Sequence, residues 1–86
     1  MKFTRYERAK WNRQKAKEIL DEIVQESGYT VAELVGQSRQ ANVTAVRQEA
    51  MSRMREKTTL SLTEIGDFFG GRHHTTVINA LKRKVA

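Results

Sequence analysis

Cysteine and proline are both missing from the 86 residues. Without cysteine there is neither a disulfide framework nor a thiolate zinc site, so stability has to come from packing, and a reducing compartment is the simplest home. Without proline, and with no repeat or low-complexity stretch, nothing marks an internal linker. No apolar run approaches the roughly 20 residues that cross a bilayer. Met1-Lys2-Phe3-Thr4-Arg5 leads into charge, with no signal-peptide core behind it, so a cytoplasmic location is expected. No Gly-rich loop ending in Lys-Ser/Thr is present, which argues against nucleotide binding. No nucleophile stands in a pattern with a base, so no enzymatic activity and no cofactor are expected. A chain of this length lacks the volume for two cores and reads as one domain.

What the chain does have is positive charge, +6 overall. Its distribution is uneven: residues 1–17 hold seven basic side chains against Glu7, while residues 18–28 hold four acidic ones and no basic one. The remainder is basic again. A polyanion is the natural partner of such a surface, and nucleic acid is the commonest; a membrane surface is the rival. Segregated charge on a solvated helix accounts for the N-terminal half equally well. We divide the chain into a basic arm and helix start over 1–14 and a binding domain over 15–86.

Helical periodicity recurs between marked ends. From Tyr6 to Ser27, Trp11, Ala16, Ile19, Leu20, Ile23 and Val24 share a face, and Gly28 stops the helix. Thr30-Val31-Ala32-Glu33 is a capping box opening a short helix that directs Val31, Leu34 and Val35 inward, closed by Gly36. Gln37 to Ala41 reads as a loop. Asn42 then caps a helix to about Lys57 with Val43, Val46, Ala50, Met51 and Met54 inward. Ser61-Leu62-Thr63-Glu64 is a second capping box, starting a helix that buries Leu62, Ile65, Phe68 and Phe69. Gly70-Gly71 turns the chain, and a last helix from His74 buries Val77, Ile78, Leu81 and Val85. No segment alternates with period two for long. The fold class is all-α, a five-helix bundle.

Two short helices joined by a glycine turn have the form of a helix-turn-helix, whose second helix enters the major groove by its N-terminal residues. Here that end offers His74, Thr75 and Thr76, with Asn79 one turn on. Threonine brings a hydroxyl of either sense and a methyl that can pack on thymine. The same residues would serve as ordinary caps on a small bundle, and periodicity alone does not separate the two. The pair His73-His74 lacks a spaced third ligand, so no metal is expected. Met51 and Met54 read as core fillers, and Trp11 as the anchor of the first helix.

The stretch Gly66-Asp67-Phe68-Phe69-Gly70-Gly71-Arg72-His73-His74-Thr75-Thr76-Val77-Ile78-Asn79-Ala80 resembles the signature of the DNA-binding C-terminal domain of the bacterial replication initiator DnaA. Arg47-Gln48-Glu49-Ala50-Met51 and Leu60-Ser61-Leu62-Thr63-Glu64-Ile65-Gly66 resemble further blocks of that family, in the same order, and Gly36-Gln37-Ser38-Arg39 falls where the family has a basic loop. The resemblance runs from about Lys15 to Arg83. It implies a helix-turn-helix bundle of Trp repressor-like class that binds double-stranded DNA. It also implies base contacts from His73, His74, Thr75, Thr76 and Asn79, and a minor-groove role for Arg39. Phosphate contacts would come from Ser38, Arg47, Gln48, Arg72 and Lys82.

The departures are specific. The position before His74, usually Asp in the family, is His73, which exchanges an acceptor for an imidazole and puts the family's preferred base there in question. The basic loop is thinned, with Gln37, Ala41 and Ala45 adding no charge; Lys10, Arg13, Lys15 and Lys17 are candidates to compensate. The initiator's ATPase domain is absent from these residues, as is the helix that follows the reading helix in the family. The first helix or a second copy of the chain is the expected cover for the surface so left, and oligomers are possible. Three tasks are compatible: a nucleoid-associated regulator of replication or transcription of prophage or mobile-element type; the recognition subunit of a nucleoprotein assembly, with Glu18, Asp21, Glu22 and Glu26 or the exposed face of the first helix holding a protein partner; or an interaction module that has lost its DNA affinity.

Overall fold

The computed structural model describes residues 4–36 and 40–85, the last three as backbone only. Five helices follow one another: α1 (Arg5–Ser27), α2 (Val31–Val35), α3 (Ala41–Lys57), α4 (Leu62–Phe68) and α5 (His74–Val85). No strand occurs among the described residues, and none of their helices is long and apolar enough to cross a membrane.

α3 is the hub, packing against each of the other four helices, while α4 and α5 pack on one another. The core gathers Ala16, Ile19, Leu20 and Ile23 of α1, Leu34 of α2, Val43, Ala50, Met51 and Met54 of α3, Ile65 and Phe69 around α4, and Val77 and Ala80 of α5. Val24, Val35, Val46, Leu62, Phe68 and Leu81 pack at its margin, half-buried. The side chain of Val85, expected inward, lies outside the described ones. At about 1.5 Å per residue, the 23-residue α1 accounts for most of the 41 Å long dimension. It runs unbroken across residue 14, so the arm-and-domain division at that point has no counterpart in secondary structure.

Several expectations from periodicity are corrected. Trp11 is not an anchor: it is 42% exposed, and its neighbour Asn12 is buried in its place. One turn before Ala16 falls residue 12, and residue 11 lies about 100° round the helix from it. The Asn12 amide is engaged at both its nitrogen and its oxygen, donating from Nδ2 to Thr59 Oγ1 at 2.7 Å and accepting the Thr59 N–H at 3.2 Å. Val31 is also 42% exposed, because a helix of five residues offers its neighbour little more than one turn. Leu62, Phe68, Ile78 and Leu81 are half-buried rather than buried. Asn42 is not the cap of α3; Gln40 is, and the Thr44 N–H already donates to the Gln40 carbonyl at 2.9 Å. In α1, a capping box not anticipated from the sequence sets the start: Thr4 Oγ1 accepts from the Glu7 N–H at 3.1 Å while the Glu7 carboxylate accepts the Thr4 N–H.

Across α1 and α3, Arg53 forms a fork with Glu26 at 2.8 and 3.0 Å and lies 3.8 Å from Glu22 and 3.5 Å from Glu49. The hydrogen bond from Arg53 holds the Glu26 carboxyl below its usual range, and the same contact raises the guanidinium. With Glu18 also 3.7 Å from Lys15, three of the four acidic residues expected to meet a protein partner are therefore already paired within the fold.

Candidate nucleic-acid interface

The approach of α4 to α5 is dictated by a glycine. A Cβ at Gly66 would stand 2.1 Å from the Arg72 carbonyl oxygen, so only hydrogen fits there. The Gly66 carbonyl in turn accepts from the N–H groups of Phe69 and Arg72, both at 3.0 Å, closing the end of α4 onto the turn. Gly70 and Gly71 follow with φ of 80° and 75°, a left-handed pair that side chains rarely adopt. Phe69, fully buried between them and the core, fixes the turn from inside.

This geometry delivers the start of α5 to the surface. His73, His74, Thr75, Thr76 and Asn79 are all exposed, while Val77 and Ala80 on the other side of the helix are buried. Thr75, Asn79 and Lys82, spaced by four and three, share one face; Lys82 is exposed as well. Thr76 and Asn79 line a shallow depression between α3 and α5, together with Thr44, Arg47, Gln48 and Arg72. The fold thus assembles five of the candidate residues in one place and leaves Lys82 farther along α5. Ser38 and Arg39 lie outside the described residues. Thr44 was not singled out in the sequence, although its spacing of four from Gln48 puts both on one face of α3.

His73 sits immediately before α5 and caps it. Its Nδ1 accepts the Thr75 N–H at 3.2 Å and lies 2.9 Å from Thr75 Oγ1. The two histidine rings lie side by side, 4.1 Å between centroids and tilted by 35°. Among the described residues no three His, Cys, Asp or Glu side chains gather as a metal site.

Two arginines expected on phosphate have other occupations. Arg47 is only 6% exposed; its Nε donates to the Leu34 carbonyl at 2.6 Å and its Nη2 to that of Gly36 at 3.4 Å. Arg72, half-buried, donates to the carbonyls of Val35, Gly36 and Phe69. The physical reason is the end of α2: the last carbonyls of a helix need donors, and Gly36, with φ −75°, is extended and does not fold back to supply them. Burial lowers the pKa of both guanidiniums from its ordinary value, and for Arg47 the like charge of Arg72 adds to it. Both guanidiniums thus act within the fold as carbonyl caps that tie α3 and the turn to the end of α2, directly before residues 37–39.

Comparison with known proteins agrees with this architecture. The family described as the bacterial dnaA protein helix-turn-helix matches residues 16–83. The chromosomal replication initiator protein DnaA of Neisseria meningitidis serogroup C is 42% identical over 64 residues, 74% of this chain and 12% of that protein. The DnaA of Synechococcus is 43% identical over 65 residues, 76% of this chain and 14% of its own length. That of Thermus thermophilus is 44% identical over 66 residues, 77% of this chain and 15% of its length. The chain therefore spans about one-seventh or less of the relatives it matches, and no solved structure matches it. With the match running from the middle of α1 through the buried face of α5, the chain belongs to the family of the bacterial DnaA helix-turn-helix.

Proposed function

We propose that the chain binds double-stranded DNA in a sequence-specific way, with the first turn of α5 in the major groove. One observation carries this reading: Thr75 and Thr76 stand exposed at the front of the second helix of a helix-turn-helix, while the next residue, Val77, is fully buried and sets their direction. Side chains placed so reach base edges, and threonine offers both a hydroxyl and a methyl to them. His74 and Asn79 extend the reading surface. Gln48 and Lys82 act on the phosphates on either side, and the resemblance adds Ser38 and the minor-groove arginine Arg39. Arg47 and Arg72 work on this surface indirectly, by fixing the segment that leads into residues 37–39.

The task we assign is regulation of replication or transcription at initiator-type sites, of the kind carried by phages and mobile elements. A second reading, a recognition subunit of a nucleoprotein assembly, is favoured by one feature: Tyr6 is 76% and Trp11 42% exposed, both ahead of the family match. Mobility-shift titration of selected duplexes tests the DNA reading. Thr76→Ala is expected to cost about 1–3 kcal/mol on the preferred site and to relax the choice of base at one position. Equal weakening on every duplex would remove Thr76 from base reading. Absence of any shift at low salt would leave the chain an interaction module.

A further inference from the structure

The sequence exchange at residue 73 has a defined chemical outcome, which rests on the major-groove reading above. A backbone N–H can only donate, so the His73 Nδ1 that receives the Thr75 N–H at 3.2 Å carries no proton. A neutral imidazole then bears its proton on Nε2. The Thr75 hydroxyl, 2.9 Å from the same Nδ1, has to be the donor in that contact as well. Cap formation thus fixes the tautomer. Nε2 lies at the opposite edge of the ring, and no partner for it occurs among the described residues. The ring itself is exposed beside His74, Thr75 and Thr76.

We propose that His73 is a specificity-determining residue that presents a single N–H donor to the major groove and selects a base with an acceptor edge, guanine foremost. Guanine offers N7 and O6 there and no competing donor. Thymine offers O4 beside a methyl, adenine sets an amino group next to its N7, and cytosine presents only an amino group. An aspartate at the same position would cap α5 equally well, yet it could only accept, and would reverse the order. Thr75 follows the same logic. With its proton directed to His73, its hydroxyl keeps only acceptor capacity, so residues 73 and 75 would read opposite senses.

The experiment is a selection from random duplexes with the full chain, followed by titration of the selected site carrying each of the four bases at every position. Wild type is expected to hold guanine at one position and to disfavour cytosine there about tenfold or more. His73→Asn, whose Oδ1 can cap while its amide donates outward, should keep guanine. His73→Asp should exchange it for an amino-bearing base, with the rest of the site unchanged; circular dichroism checks that both variants fold. The same site, base for base, for wild type and His73→Asp overturns the proposal while leaving DNA reading intact. No binding by wild type to any duplex at low salt overturns the groove reading itself, and this inference with it.

Discussion

The two short helices α2 and α4 begin alike and end differently. Each opens with a reciprocal capping box, Thr30 with Glu33 and Ser61 with Glu64, and in each the hydroxyl accepts at 3.1 Å and the carboxylate at 3.0 Å. At the far end the resemblance stops. α4 is closed by its own neighbourhood: the Gly66 carbonyl, the left-handed glycines and the Arg72 N–H all lie within seven residues. α2 is closed from a distance, by guanidiniums 11 to 37 residues away in sequence. Start signals are local, and stop signals need not be. The site inherits both arrangements, since α4 aims α5 and α2 leads into the segment before α3.

Breaking the local closure should have the largest effect. Gly66→Ala drives a methyl into a backbone oxygen 2.1 Å away, and α4 and α5 cannot both keep their places. A loss of about 3 kcal/mol or more is expected, at the upper end for overpacking, and is read by thermal unfolding. The distant closure should cost less. Arg47→Lys keeps the charge but not the fork, leaving carbonyls at the end of α2 short of donors; about 1–3 kcal/mol of stability should go, read by urea unfolding. Stability unchanged in Arg47→Ala, with only a shallower salt dependence of DNA binding, would return Arg47 to the phosphate backbone. The smallest effect belongs to the shared beginnings. Thr30→Ala and Ser61→Ala should each lose about 1 kcal/mol in the same assay. A larger loss for Thr30→Ala would be traced to the additional bond from its hydroxyl to the Glu33 carboxylate at 3.1 Å.

That contrast also explains which features are legible in the sequence. Helix order, both capping boxes, the glycine turn and most of the core follow from spacing and from local chemistry. The exposed His74-Thr75-Thr76 surface follows from the burial of Val77 at the next step. The capping by Arg47 is not legible, because a side chain's sequence neighbours do not say that it will meet carbonyls of another helix. Trp11 misleads for a related reason: size suggests an anchor, whereas the angular position of Ala16 selects Asn12. The role of His73 as a cap is hidden because imidazole is not among the usual capping groups, and only the 3.2 Å contact to the Thr75 N–H discloses it.

The bond pair between Asn12 and Thr59 carries a practical corollary. Family similarity begins at residue 16, yet a buried amide four positions earlier grips the link between α3 and α4 through a donor and an acceptor at once. A fragment trimmed to the region of homology would retain α3, α4 and α5 with their candidate DNA contacts and lose this clasp. The stretch that resembles its relatives is thus shorter than the stretch that is tied into the fold.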